Sequence, residues 1–238
     1  MNYQLHLGDC LEFMRTMEAG SVDAVITDPP YPGLKGGLKH FVGGVSKRLQ
    51  PTVTVGTPWG NELEALKDVR RVAKYGAIVF CSWHSIGQVR EMLGGEAIGL
   101  ITWHKRNVQP SFRNRPHYTC EYAWMIEYAP GMNWKPIKTM YDIPGLAAGC
   151  FATERVLMAD SSKAAHPTQK PIELMSALLQ SVAGTIFDPF MGSGTTGVAC
   201  VKTGRNFIGC EIDETYFNIA QKRIDEAAMQ LPLLEVTA

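Results

Sequence analysis

Neither sign of charge dominates this chain: lysine plus arginine and aspartate plus glutamate stand at 23 each over 238 residues. Net charge therefore gives no argument for a nucleic-acid or membrane partner, and only local clustering of charge can supply one. Metal-ligand spacing is also missing. The six cysteines, at positions 10, 81, 120, 150, 200 and 210, include no C-x-x-C pair and no His/Cys cluster. That removes zinc-ribbon and thioredoxin-type readings and leaves buried, reduced thiols. No apolar run approaches about 18 residues, and no basic N-terminal stretch leads into an apolar one, so a soluble cytoplasmic protein is expected. Internal repeats and coiled-coil heptads are absent.

The chain does hold short apolar runs that end in polar or glycine-bearing turns: Tyr3–Leu7, Ala24–Thr27, Ala77–Cys81, Gly99–Trp103, Tyr122–Tyr128, Thr185–Phe187 and Asn206–Cys210. Helix-like stretches lie between some of them, at Asn61–Lys74, Pro171–Val182, Thr195–Lys202 and Glu214–Ala228. Pro171 suits a first helical turn, with Thr168 or Gln169 as the cap. Alternating strands and helices predict one α/β domain with a seven-stranded, mostly parallel sheet covered on both faces. The runs at 99–103 and 122–128 have no helix between them, which predicts an antiparallel hairpin at one edge. Residues 32–60 and 129–165 fit no element, and loops of that length in a compact domain are usually functional or disordered.

Residues 24–33 read "AVITDPPYPG". A turn after a buried strand needs one proline or glycine. Two consecutive prolines fix φ twice, remove two amide donors and bias Asp28 toward extended backbone. The product is a stiff tetrapeptide with free carbonyls and with Asp28 and Tyr31 held in fixed directions, which is more rigidity than a connection requires.

Residues 185–197, "TIFDPFMGSGTTG", place Gly192, Gly194 and Gly197 in a G-x-G-x-x-G pattern between a strand and a helix, and Glu211 ends the next apolar run. Alone, this is the dinucleotide fingerprint, with Glu211 positioned for ribose hydroxyls. Asp188 and Pro189 before the glycines alter that reading. An acidic residue at the loop mouth suits a ligand carrying an ammonium and a sulfonium better than a pyrophosphate, which calls for amides and positive charge. No lysine follows the glycines, so the nucleotide-triphosphate loop is excluded by its own pattern.

Three stretches, "DPPY" at 28–31, "HPTQKP" at 166–171 and "FDPFMGSGTTG" at 187–197, together resemble the β-class DNA amino-methyltransferases, in which the catalytic tetrapeptide precedes the cofactor loop. Family-like segments in family order extend over most of the chain. The resemblance implies a Rossmann-like methyltransferase fold with circularly permuted motif order, S-adenosylmethionine as cofactor and double-stranded DNA as substrate, in a monomer or homodimer. It further implies a catalytic set of Asp28, Pro29, Pro30 and Tyr31. Tyr31 would stack on a target base that has left the duplex. Cofactor contacts are implied for Asp9, Asp28, His166, Thr168, Lys170, Asp188, Pro189, Phe190, Gly192, Ser193, Gly194, Thr195, Thr196 and Glu211, with Lys170 pairing with the methionine carboxylate. Asp9 is equally readable as a simple turn residue, and Asp213 as a helix cap. The Asp of "DPPY" favours adenine N6. Cytosine N4, or a catalytically silent DNA-binding subunit of the same fold, are the alternatives.

Two acid-free segments supply local charge. Residues 102–118 hold Lys105, Arg106, Arg113 and Arg115 among aromatics, and 32–60 hold Lys35, Lys39, Lys47 and Arg48. Both are expected to face DNA phosphates, and the stretches 32–60 and 129–165 are the places for a short target-recognition element.

Overall fold

The computed structural model describes residues 2–30, 39–42, 45–48, 61–105, 120–130, 150–153 and 169–235. Ten strands and six helices run in the order β1 (Tyr3–Leu7), α1 (Cys10–Thr16), β2 (Val22–Thr27), β3 (Lys39–Val42), β4 (Val45–Arg48), α2 (Asn61–Val72), β5 (Ala73–Cys81), α3 (Ile86–Leu93), β6 (Glu96–Lys105), β7 (Cys120–Glu127), β8 (Cys150–Thr153), α4 (Ile172–Leu179), β9 (Thr185–Asp188), α5 (Thr195–Lys202), β10 (Asn206–Glu211) and α6 (Glu214–Glu235). Eight strands form one sheet in the order β1-β10-β9-β2-β5-β7-β6-β8, and β3 and β4 pair as a separate hairpin. Strand β7 is antiparallel to both β5 and β6, and the other pairings in the large sheet are parallel. All seven expected strands are present, including the antiparallel β6–β7 hairpin. The difference is at the edge, where the four-residue β8 pairs with β6.

The sheet is buried on both faces, and side-chain parity divides the core in two. Ala24, Ile26, Ile78, Phe80, Ile101 and Trp103 pack with Leu174 and Leu178 of α4, Val198 of α5 and Ile224 of α6. From the intervening positions, Val25, Ala77, Val79 and Cys81 pack with Met14 of α1, Leu66 and Val69 of α2, and Val89 and Leu93 of α3. The buried thiols match the reduced-cysteine expectation: burial pushes Cys81 up to about 12, helped by the nearby charges of Asp28 and Glu121, and Cys81 is free.

Two local expectations are corrected. Ala73 and Lys74 begin β5 rather than ending α2, because Ala73 pairs with Val22 in the parallel ladder. Pro171 is the N-cap of α4 with extended backbone (φ −62°, ψ 138°) and gives no side-chain cap; Gln169 is therefore not the cap, and Thr168 lies outside the described residues. Asp213 does cap α6, its Oδ1 accepting the amides of Thr215 at 2.9 Å and Tyr216 at 3.0 Å. Among the described residues no helix is long and apolar enough to cross a membrane.

Candidate active site

The carboxyl ends of β1, β10, β9, β2 and β5 lie along one edge of the sheet, joined there by the start of β7 and the end of β6. Between β9 and β2 the chain order reverses direction, the position where open α/β sheets bind ligands. Asp9, Glu211, Asp188 and Asp28 therefore stand in a row at this edge, each at or just beyond the end of its strand.

The glycine loop is built around Asp188. Its carboxylate is 3% exposed and accepts three hydrogen bonds: Thr27 Oγ1 at 2.6 Å, Thr196 Oγ1 at 2.6 Å and the Phe190 amide at 3.1 Å. Burial raises its pKa to about 6, against the opposing effect of those donors. The Asp188 side chain lies under the loop and ties it to the last residue of β2. Thr195 and Thr196 are likewise buried in the first turn of α5, so Thr196 belongs to this support.

Glu211 secures the loop from the other side. One oxygen accepts the Gly192 amide at 2.9 Å and the other the Asp213 amide at 2.9 Å. Desolvation raises its pKa, opposed by those same amides. Gly192 and Gly194 adopt left-handed φ values of +52° and +79°, which cost a residue with a Cβ about 1–2 kcal/mol. A Cβ on Gly194 would meet Ala220 at 2.8 Å, so α6 packs against the bare backbone, whereas a Cβ on Gly192 would meet nothing within 4 Å. That open side is where a ligand can lie against the loop. Arg223 of α6 donates to the Ser193 carbonyl and, at 3.0 Å, to its hydroxyl.

Lys170 is engaged within the protein. Its ammonium pairs with Asp28 Oδ2 and, at 3.0 Å, with Glu121 Oε2, and it lies 4.9 Å from the Phe80 ring centre and 5.9 Å from that of Trp103. Burial alone would lower its pKa; the carboxylates of Asp28 and Glu121 reverse that and raise it. Asp28 itself is half-buried, and Pro29 is buried beside it. Asp9 Oδ1 caps α1, accepting the amides of Leu11 at 2.7 Å and Glu12 at 3.2 Å.

Lys105 ends β6 in an ion pair with Glu121 and lies 5.3 Å from the Trp103 ring centre. In the β3–β4 hairpin, Lys39 stands opposite Arg48 and His40 opposite Lys47. Tyr31, Lys35, Arg106, Arg113, Arg115, His166 and Thr168 lie outside the described residues.

Sequence reasoning missed Thr27, Glu121, Arg223 and the Trp83–His84 pair. Trp83 is 45% exposed, its ring centre 3.5 Å from that of His84, on the turn that follows β5. Glu121 carried a readable signal, since it shares strand parity with the buried Ala123 and so points inward, where an acid needs a partner.

Comparison with known proteins gives the family and the fold. The N6/N4 methyltransferase family, described as DNA methylase, matches residues 22–222. The chain is 28% identical over 243 residues to the Type II methyltransferase M2.MboI of Moraxella bovis, covering 94% of this chain and 88% of that protein. It is also 28% identical to the Type II methyltransferase M2.DpnII of Streptococcus pneumoniae, over 91% of this chain and 87% of the relative. Among solved structures, the M1.HpyAVI–SAM complex superposes with a TM-score of 0.67 at 26% identity, covering 94% of this chain and 99% of that one. The PvuII DNA methyltransferase, cytosine-N4-specific, shares the fold with a TM-score of 0.67 at 15% identity, over 97% and 92% of the two chains.

Proposed function

The chain belongs to the DNA methylase family, and within it we propose that it transfers a methyl group from S-adenosylmethionine to the exocyclic N6 amine of an adenine in DNA. The observation that carries this reading is the position of Asp28. It follows directly on Thr27, whose hydroxyl is bonded to Asp188 beneath the glycine loop, so an amine-binding carboxylate and a cofactor cradle stand side by side at the sheet's switch point.

The residues present fit the cofactor. Gly192 offers open space against bare backbone, and Phe190 is a half-buried ring at the loop. The Glu211 carboxylate, half-buried at the end of β10 and held by two amides, is an acceptor suited to ribose hydroxyls. Bound S-adenosylmethionine supplies the electrophilic methyl group. This chain's part is to prepare the nucleophile. The lone pair of an adenine amine is conjugated into the ring, and two acceptors on its N–H groups favour a tetrahedral nitrogen. The Asp28 carboxylate is one acceptor, and a carbonyl of the Asp28–Pro29 segment, freed by the following proline, is the other. Their contribution is positioning and preorganised electrostatics rather than strong basicity. The base reaches this site only after leaving the helix stack.

DNA contacts are assigned to the acid-free segments. The β3–β4 register sets Lys39 against Arg48. The test is methyl transfer from labelled S-adenosylmethionine to unmethylated DNA, followed by digestion and nucleoside chromatography. Label in N6-methyladenine is expected. Label in N4-methylcytosine would retain the mechanism and overturn the base assignment.

A further inference from the structure

Four charged side chains alternate in sign at the active-site edge: Asp28, Lys170, Glu121 and Lys105. They come from the residue after β2, the segment before α4, β7 and β6, so no single motif contains them. The Lys170 side chain is 6% exposed, Lys105 14% and Glu121 19%, and the rings of Phe80 and Trp103 lie beside Lys170. Buried ion pairs are poor devices for stability, since apolar side chains of equal volume usually do as well or better. Three of them in a chain ending on Asp28 call for another reason.

We propose that Glu121 is a positioning residue for methyl transfer, acting through Lys170 to hold the Asp28 carboxylate where it receives the target amine. This rests on the role given to Asp28 above. Lys170 stands between two carboxylates, and each limits how far its charge is committed to the other. Without Glu121, Lys170 is left to Asp28, which it holds back from the amine and whose negative charge it offsets just as the attacking nitrogen becomes positive. Glu121 thus leaves Asp28 available as an acceptor while Lys170 fixes its direction. Lys105 sets how strongly Glu121 acts. It also ends β6 where Glu121 begins to pair across the hairpin, with Trp103 opposite Glu121 and His104 opposite Cys120, at the base of the 106–119 connection.

The experiment uses the full chain, labelled S-adenosylmethionine and unmethylated DNA, with cofactor affinity measured separately by titration. Glu121→Gln is expected to lower kcat at least tenfold while cofactor Kd stays within about twofold of the unaltered chain. The variant Lys170→Met/Glu121→Gln removes the ammonium that Glu121→Gln leaves to Asp28, and is expected to recover kcat at least threefold over Glu121→Gln. A merely structural role would give no such recovery. Unchanged kcat in Glu121→Gln, a cofactor Kd that weakens in step with kcat, or a double variant slower than the single one would each overturn the proposal. Should Glu121→Gln not fold, Glu121→Asp carries the same test: the charge is kept but drawn back by a methylene, and kcat should fall at unchanged cofactor Kd. If the unaltered chain itself places no label in DNA, the proposed function fails first, and that result is distinct from a slow Glu121 variant of an active enzyme.

Discussion

The Thr27 hydroxyl donates to Asp188 Oδ1 at 2.6 Å across 161 residues of sequence, joining the last residue of β2 to the last residue of β9. One bond thus fixes the spacing between the Asp28 tetrapeptide and the glycine loop. Both groups are buried, so loss of the donor leaves a carboxylate oxygen less satisfied, at a cost of about 1–3 kcal/mol. Thr27→Val keeps the shape and removes the bond. Its unfolding free energy in a denaturant titration should fall by that amount, and kcat should fall several-fold with a smaller change in cofactor Kd, because the two halves of the site lose registration.

Asp188 predicts an unusual pH dependence of stability. Its folded pKa is raised to about 6 from the ordinary 3.8, so between these values the folded protein keeps a proton that the unfolded chain releases. Stability contributed by this group is therefore highest below about pH 4 and declines as pH rises through 6, by on the order of 2–3 kcal/mol. Denaturation of the unaltered chain and of Asp188→Asn, compared from pH 4 to 7.5, should show the difference moving in favour of Asn as pH rises. A difference moving the other way would mean that the hydrogen bonds outweigh burial.

The two left-handed glycines separate packing from binding. Gly194→Ala places a methyl 2.8 Å from Ala220 Cβ, whereas Gly192→Ala meets nothing within 4 Å. Both pay backbone strain of about 1–2 kcal/mol, and only Gly194→Ala adds displacement of α6. Thermal melting should fall more for Gly194→Ala. Titration should show the cofactor affinity of Gly192→Ala reduced more than its stability explains.

Trp83 provides a test of where DNA lies. It is an exposed ring next to His84 at the end of β5, on the same edge as Asp28. Stacking of a base on an aromatic ring is worth about 1–3 kcal/mol. Trp83→Ala should weaken single-stranded DNA binding about tenfold in an anisotropy titration without lowering the melting temperature. An unchanged affinity would move the DNA path away from β5.

The seven main strands were legible because each is a short, nearly continuous apolar run, as expected for strands buried on both faces. Helices α1 and α3 were not, since each buries only two residues, Leu11 and Met14 in one and Val89 and Leu93 in the other, whereas the equally short α4 and α5 bury most of theirs. The edge strand β8 has four residues and is defined by its partner β6 rather than by its own pattern. In the site, Asp28 and the glycine loop were readable because each is rigid in its own local chemistry. What escaped were the partners. Lys170 meets Asp28 across 142 residues, so nothing nearby in sequence announces that the lysine belongs to the carboxylate. Asp188 showed its charge in the sequence, but only its 3% exposure reveals that it faces inward.

The most direct test of the account is Asp28→Ala, assayed for cofactor binding by titration and for methyl transfer to DNA under single-turnover conditions. The division of labour described here predicts that transfer falls at least 1,000-fold, the order expected when positioning and electrostatic acceptance are both lost, while cofactor Kd changes by less than about threefold. Transfer that persists near the unaltered rate would contradict the role of Asp28, and a cofactor Kd that collapses with it would contradict the separation between the tetrapeptide and the glycine loop.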